Sequence, residues 1–194
     1  MDIKTEKTRA RLQAKARRQE VLQVIDPIDT ALDLNSHFPA ARFRGALIGG
    51  IWPLPGEIDT RPLLAALHAQ GHSLALPCTP RKGKPLIFRE WSPIDHLKAG
   101  PYGTREPYPV KSEVFPTLVL VPLLGFTNLG ERLGYGGGYY DRTLAALRSY
   151  HQKDGTEIFA CGVAFAAQEA AYIPVDEHDM LLDGILTERY FKAF

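Results

Sequence analysis

Hydrophobic and polar positions divide the chain into short apolar runs separated by segments with helical spacing. Residues 4 to 25 contain neither Gly nor Pro and are rich in Ala, Arg, Lys, Gln and Leu, which predicts a helix. DPID (26 to 29) breaks it, and 27 to 44 reads as irregular surface chain. GALIGGIWPL (45 to 54) reads as a buried strand leaving through Pro53 and Pro55. RPLLAALHAQG then forms a short amphipathic helix, with Thr60 as N-cap, Pro62 in the first turn and Gly71 at its end. HSLALPC (72 to 78) and PLIFREW are further strands. From Ser92 to Pro116 the chain is rich in Pro and Gly and reads as a long ordered loop, of the kind that usually carries function. TLVLVPLLGF (117 to 126) is the clearest buried strand. A glycine loop follows it, then an amphipathic helix over 139 to 151, a strand over 157 to 165, and a closing turn, loop and strand. Strands alternating with helices predict an α/β fold: a mostly parallel sheet flanked by helices, in one domain spanning 1 to 194.

Composition narrows the class. The 194 residues are 45% hydrophobic and 23% charged, as in an ordinary soluble domain, and the formal net charge of +1 gives no global signature of nucleic-acid binding. Charge is uneven, however: seven Lys and Arg stand between Lys4 and Arg18 against the single acid Glu6. A solvated basic face is the usual reading of such a run. The first residues are charged and carry no signal-peptide core, and no apolar run approaches the roughly 20 residues that cross a bilayer, so the expected location is the cytoplasm. Cys78 and Cys161 sit in separate apolar runs and read as buried free thiols.

The chemistry concentrates in RLGYGGGYYDR, residues 132 to 142, where four glycines fall within five positions. A glycine loop between a buried strand and a helix exposes backbone N–H groups at the helix N-terminus, where phosphates bind. Neither the P-loop pattern nor the dinucleotide fingerprint fits its register. Arg132 can clamp phosphate oxygens. Asp141, in the first helical turn, suits either the helix dipole or Mg²⁺, which takes one or two protein carboxylates beside phosphates and waters. A second carboxylate is available in PVDEHDMLLD, where spacing does not choose among Asp176, Glu177, Asp179 and Asp183.

The run RLGYGGGYYDR, preceded by VPLLGF and followed by EHDMLLDGILTE, with PGEIDT at 55 to 60 and YGTREP at 102 to 107, resembles the 5-formyltetrahydrofolate cyclo-ligase (5,10-methenyltetrahydrofolate synthetase) family. The resemblance implies a Rossmann-like three-layer α/β sandwich. It also implies a monomeric cytoplasmic enzyme that acts on a reduced folate with ATP as co-substrate and Mg²⁺, with neither nucleic acid nor membrane as partner. The implied reaction is cyclisation of 5-formyltetrahydrofolate to 5,10-methenyltetrahydrofolate with release of ADP and phosphate. Carried over by resemblance, Arg132, Leu133, Gly134, Tyr135, Gly136, Gly137, Gly138, Tyr139 and Tyr140 line the ATP phosphates. Tyr135 to Tyr139 also touch the folate, and Arg132 and Tyr139 are the implied catalytic residues. Asp141 and Asp179 are the implied magnesium carboxylates, and Glu57 is similar to the family's pterin-binding carboxylate. Lys7 and Arg11 have the spacing of the family's N-terminal Lys-x-x-x-Arg pair. Trp52, Phe88, Trp91 and Tyr102 are candidates to stack on flat rings, with core packing the commoner fate of each. One position departs from the family: Thr127 stands where an Asp is usual. Two alternatives stay open, a paralogue acting on another formyl-amide or pterin-like compound and a non-catalytic ATP- or folate-binding module.

Overall fold

The computed structural model describes residues 2–194. Its helices are α1 (Ile3–Leu22), α2 (Pro27–His37), α3 (Arg61–Ala69) and α4 (Tyr139–His151). Its strands are β1 (Leu47–Gly49), β2 (Ser73–Cys78), β3 (Ile87–Glu90), β4 (Lys98–Ala99), β5 (Arg105–Glu106), β6 (Leu118–Pro122), β7 (Gly125–Phe126), β8 (Arg132–Leu133), β9 (Phe159–Val163), β10 (Gly184–Leu186) and β11 (Phe191–Ala193). Seven of them form one sheet in the order β11-β10-β9-β6-β1-β2-β3. The five central strands are parallel and the two edge strands, β11 and β3, run antiparallel.

Alternate residues of the central strands serve opposite faces, as the twofold pleat requires. Leu118 and Leu120 pack with Leu34 of α2 and Leu63, Leu64 and Leu67 of α3. Val119 and Val121 pack with Leu144 and Leu147 of α4. Helices therefore cover both faces, which explains why β6 reads as a continuous apolar run. The chain leaves β1 toward β2 on one side and leaves β6 toward β9 on the other. The carboxyl ends of β1 and β6 thus flank the point where strand order reverses, the place where open α/β sheets form their binding crevice. Both cysteines are free, but only Cys161, in β9, is buried as expected, its thiol pushed up to about 12; Cys78, at the end of β2, is half-buried.

Several elements differ from the sequence expectation. Residues 27 to 37 are helical, because Asp-Pro is an N-cap followed by an N1 proline: the Asp26 carboxylate accepts from Ile28 N at 2.7 Å and Asp29 N at 3.2 Å. Thr60 does not cap α3 through its side chain, since its hydroxyl donates to Ile51 O at 2.7 Å. The first strand is short, because Gly50 N makes one more bond, to Ala75 O, before Pro53 and Pro55 turn the chain away. The 92 to 116 loop contains the β4–β5 hairpin, whose Glu106 is buried and accepts from Thr79 N at 2.8 Å. The glycine loop does not follow β6 directly, because the β7–β8 hairpin intervenes and delivers Arg132 to the loop. The chain closes with two strands, β10 and β11, rather than one.

Candidate active site

At the carboxyl edge of the sheet lies a cavity of about 1280 Å³. That exceeds the roughly 300–1,000 Å³ of a typical single-ligand pocket and leaves room for two substrates side by side. Its walls come from α1, the segment after β1, the ends of β2 and β6, the glycine loop with the start of α4, and residues 176 to 180 before β10. Lys7, Arg11, Glu57, Arg132, Gly134 through Tyr140, Asp141 and Asp179 all line it. Leu133 does not: its side chain is buried with Ala14, Leu124 and Ile173 beneath the β7–β8 hairpin. Phe88 and Trp91 belong to the core, while Trp52 and Tyr102 reach the cavity. Tyr102, the sole non-glycine residue with positive φ among those described (φ 59°), stands edge-on to Tyr139 with ring centroids 6.5 Å apart.

The glycine loop is a backbone surface held from outside by arginines. Gly136 has φ 97° and Gly138 φ 64°, in the left-handed region that glycine adopts without a Cβ penalty. Space is short as well: a Cβ on Gly136 would stand 3.3 Å from the Arg11 guanidinium, and one on Gly138 2.6 Å from that of Arg142. Arg11 Nε donates to Gly134 O at 3.0 Å and Arg142 Nη2 to Gly137 O at 2.8 Å, so two of the loop's carbonyls are occupied. Among the described residues, the N–H groups of Gly136, Gly137 and Gly138 have no protein acceptor. Free donors beside a helix N-terminus make an anion site.

Beyond the loop sits a charged wall. Arg132 is buried; it donates to the Asp141 carboxylate and to Met180 O, and Met180 N donates back to Asp141 Oδ1 at 3.1 Å. Lys7 Nζ bonds Asp176 at 2.6 Å and Asp179 at 2.5 Å. Asp141 and Asp179 therefore occupy one wall, each with one oxygen engaged by a cation. That arrangement suits Mg²⁺: the donors are hard oxygens, and each carboxylate keeps a second oxygen that takes part in no protein hydrogen bond. Among the described residues, no group of three or more His, Cys, Asp or Glu could enclose a metal, so phosphate and water oxygens would have to complete the shell.

At the other end, the Glu57 carboxylate accepts from Leu54 N at 2.8 Å and from the Tyr135 hydroxyl. Burial raises its pKa, and the hydrogen bonds and the Arg18 charge work against that rise. Burial also pushes the Tyr135 and Tyr140 phenols upward, so both stay protonated.

Sequence reasoning missed Arg18. It is buried, and its Nη1 donates to the Tyr135 hydroxyl at 2.7 Å. The signal was available: 7, 11, 14 and 18 follow the i, i+4, i+7, i+11 stripe of one helical face. The stripe was obscured because three of its four members are charged. Thr127, the departure noted above, lies in the β7–β8 turn and is not among the cavity residues. Its hydroxyl accepts from Leu129 N at 3.3 Å and donates to Glu131 at 2.9 Å. Accepting from the N–H two residues on is what an Asp side chain does in the same turn, so the exchange is local to the hairpin.

Comparison with known proteins gives one answer. The model of the 5-formyltetrahydrofolate cyclo-ligase family matches residues 4–188. The chain is 32% identical over 137 residues to the 5-formyltetrahydrofolate cyclo-ligase of Escherichia coli (strain K12), covering 68% of this chain and 72% of that one. It is 32% identical over 136 residues to the enzyme of that name from Haemophilus influenzae, covering 68% and 70%. Its fold is shared with the 5,10-methenyltetrahydrofolate synthetase of Aquifex aeolicus, at a TM-score of 0.70 and 24% identity over 96% of this chain and 92% of that one. With nearly its whole length matched and the glycine loop, Asp141, Asp179 and Glu57 gathered around one cavity, the chain belongs to the 5-formyltetrahydrofolate cyclo-ligase family of enzymes.

Proposed function

We propose that this protein uses ATP and Mg²⁺ to cyclise 5-formyltetrahydrofolate to 5,10-methenyltetrahydrofolate, releasing ADP and phosphate. The observation that carries the reading is convergence. Unpaired loop amides, buried Arg132 and the two carboxylates Asp141 and Asp179 form one end of a cavity whose other end is Glu57. The first set suits a nucleotide triphosphate. A half-buried carboxylate suits the paired N–H donors of a pterin ring, which it accepts together.

Phosphoryl transfer needs positioning and charge neutralisation more than a covalent nucleophile. The amides of Gly136, Gly137 and Gly138 would bind phosphate oxygens, with Arg132, Lys7 and Arg11 supplying positive charge around them. Asp141 and Asp179 would hold Mg²⁺, which when bound neutralises phosphate charge. Glu57 and Tyr135 would fix the pterin so that the formyl oxygen faces the terminal phosphate. That oxygen attacks phosphorus and ADP departs, which leaves an imidate phosphate. N10 then attacks the formyl carbon, its proton passes to the departing phosphate, and phosphate leaves with the former formyl oxygen as the ring closes. Each step uses lone pairs of the substrate itself, so a protein nucleophile is unnecessary.

The reading predicts that ADP is released only when 5-formyltetrahydrofolate is present, in equal amounts with the folate consumed. ADP release at the same rate without folate would contradict it.

A further inference from the structure

Arg18 and Arg132 are the buried arginines among the described residues; Arg18 does not itself line the cavity and takes no part in the phosphate wall, but it touches Tyr135, which does, and its contacts define a directed chain. Its Nη1 donates to the Tyr135 hydroxyl at 2.7 Å, and its guanidinium carbon lies 5.7 Å from the centroid of that ring. The Tyr135 hydroxyl donates to Glu57 Oε1, and Glu57 Oε2 accepts from Leu54 N. Arg18 also lies against Gly56, the residue before Glu57: a Cβ there would stand 3.8 Å from Arg18 Nε and Nη2.

The chemistry of the first link sets the polarity of the rest. A guanidinium only donates. The phenol oxygen therefore accepts from Arg18, and its own proton is directed at Glu57. Glu57 in turn accepts at both oxygens, from the Tyr135 hydroxyl at Oε1 and from Leu54 N at Oε2, an arrangement that favours the ionised form. With Arg18 gone, the phenol could rotate and accept from a protonated Glu57 instead, and the carboxyl would no longer offer two acceptor oxygens to a ligand. Resting on the reading of Glu57 as the folate anchor, we infer that Arg18 is the positioning residue for the folate end of the cavity, orienting Glu57 through the Tyr135 hydroxyl.

The groups facing Glu57 are Arg18 from α1, Tyr135 from the glycine loop and Tyr140 from α4. Arg18 is the cation among them and opposes the upward push of burial on the carboxyl. Removing it raises the pH at which Glu57 protonates.

The test is Arg18→Met, which keeps the length of the stem. Expected are a KM for 5-formyltetrahydrofolate raised about tenfold, the scale of one charge-assisted hydrogen bond, an unchanged KM for ATP, and an acid limb of the folate kcat/KM profile displaced to higher pH. Arg18→Lys, which also only donates, should recover part of the loss. Combining Arg18→Met with Tyr135→Phe should cost no more than Tyr135→Phe alone. An unchanged folate KM, an equal rise in both KM values, or an additive loss in the double variant would overturn the inference. Glu57→Gln separates the two levels. If it leaves folate binding intact, the reading of the anchor fails and this inference with it. If it weakens folate binding while Arg18→Met does not, the role of Arg18 alone is refuted.

Discussion

Helices α1 and α4 both bring charge to the same cavity, yet a different balance of forces holds each to the protein. α4 is anchored by oil: Leu144 and Leu147 are buried in the core, and its first turn presents Asp141 as a by-product of that packing. α1 packs Ala10, Ala14, Val21 and Leu22 against apolar clusters, but its cavity face is anchored by charge. Its buried residues are Ala14 and Arg18, and it docks through Lys7 on two carboxylates, Arg11 on Gly134 O, Arg17 on Glu169 O and Arg18 on Tyr135. A helix held in this way depends on the groups it serves. One face that reads as solvated in the sequence is instead the roof of the cavity, and the stems of its long cations do the covering.

The comparison predicts a separation of stability from activity. Leu144→Ala should break the α4 side at the fold itself, costing about 2–5 kcal/mol in urea unfolding. Asp141→Asn, on the same helix but facing the cavity, should leave the circular dichroism spectrum intact while lowering turnover about 100-fold, because it removes a proposed metal oxygen and the partner of buried Arg132. Normal turnover in that variant would remove Asp141 from the metal site. Gly137→Val places a Cβ 2.9 Å from the Tyr139 ring, and should weaken ATP binding by about tenfold in calorimetric titration. On the α1 side, Arg11→Met should change the free energy of unfolding by less than about 1 kcal/mol, as for other solvent-edge polar pairs. It should nonetheless weaken ATP binding, the reverse of Leu144→Ala. Hydrogen exchange in α1 should be faster than in α4 and should speed up further with added salt, which screens its contacts.

The smallest effect is a pH dependence. Glu57 has a folded pKa raised by burial, so its ionised form opposes folding. Below the ordinary glutamate range both states are protonated and nothing is lost; as pH rises through that range to the folded value the penalty develops, and above it the penalty is constant. Glu57→Gln should therefore match the parent in thermal stability at acid pH and exceed it slightly near neutrality. Equal Tm of variant and parent at both pH values would contradict an ionised Glu57 whose pKa is raised by burial.

Much of this was legible in the sequence where apolar periodicity and glycine spacing dominate. The helix over 139 to 151 and the glycines of the loop stand where the pattern places them, and the strand expected over 117 to 126 is present but ends at Pro122, its last residues going to β7. What escaped was structure set by polar side chains or distant partners. Asp26 turns an apparent helix breaker into the start of α2. The β7–β8 hairpin hides inside GFTNLGERL because two-residue strands carry no periodic signal. The role of Arg18 depends on a tyrosine 117 positions away. Spacing left Asp176, Glu177, Asp179 and Asp183 equivalent. The fold separates them, pairing Asp176 and Asp179 with Lys7 at the cavity and Asp183 with Arg148 away from it.

The central claim is that phosphate wall and folate anchor serve one reaction. Its most direct test is absorbance in the methenyl-folate band, with purified protein, 5-formyltetrahydrofolate and ATP, with and without Mg²⁺. The account predicts a rise that needs both ATP and Mg²⁺ and that falls about 100-fold in rate in Asp141→Asn. No rise from folded protein that still binds ATP would contradict it.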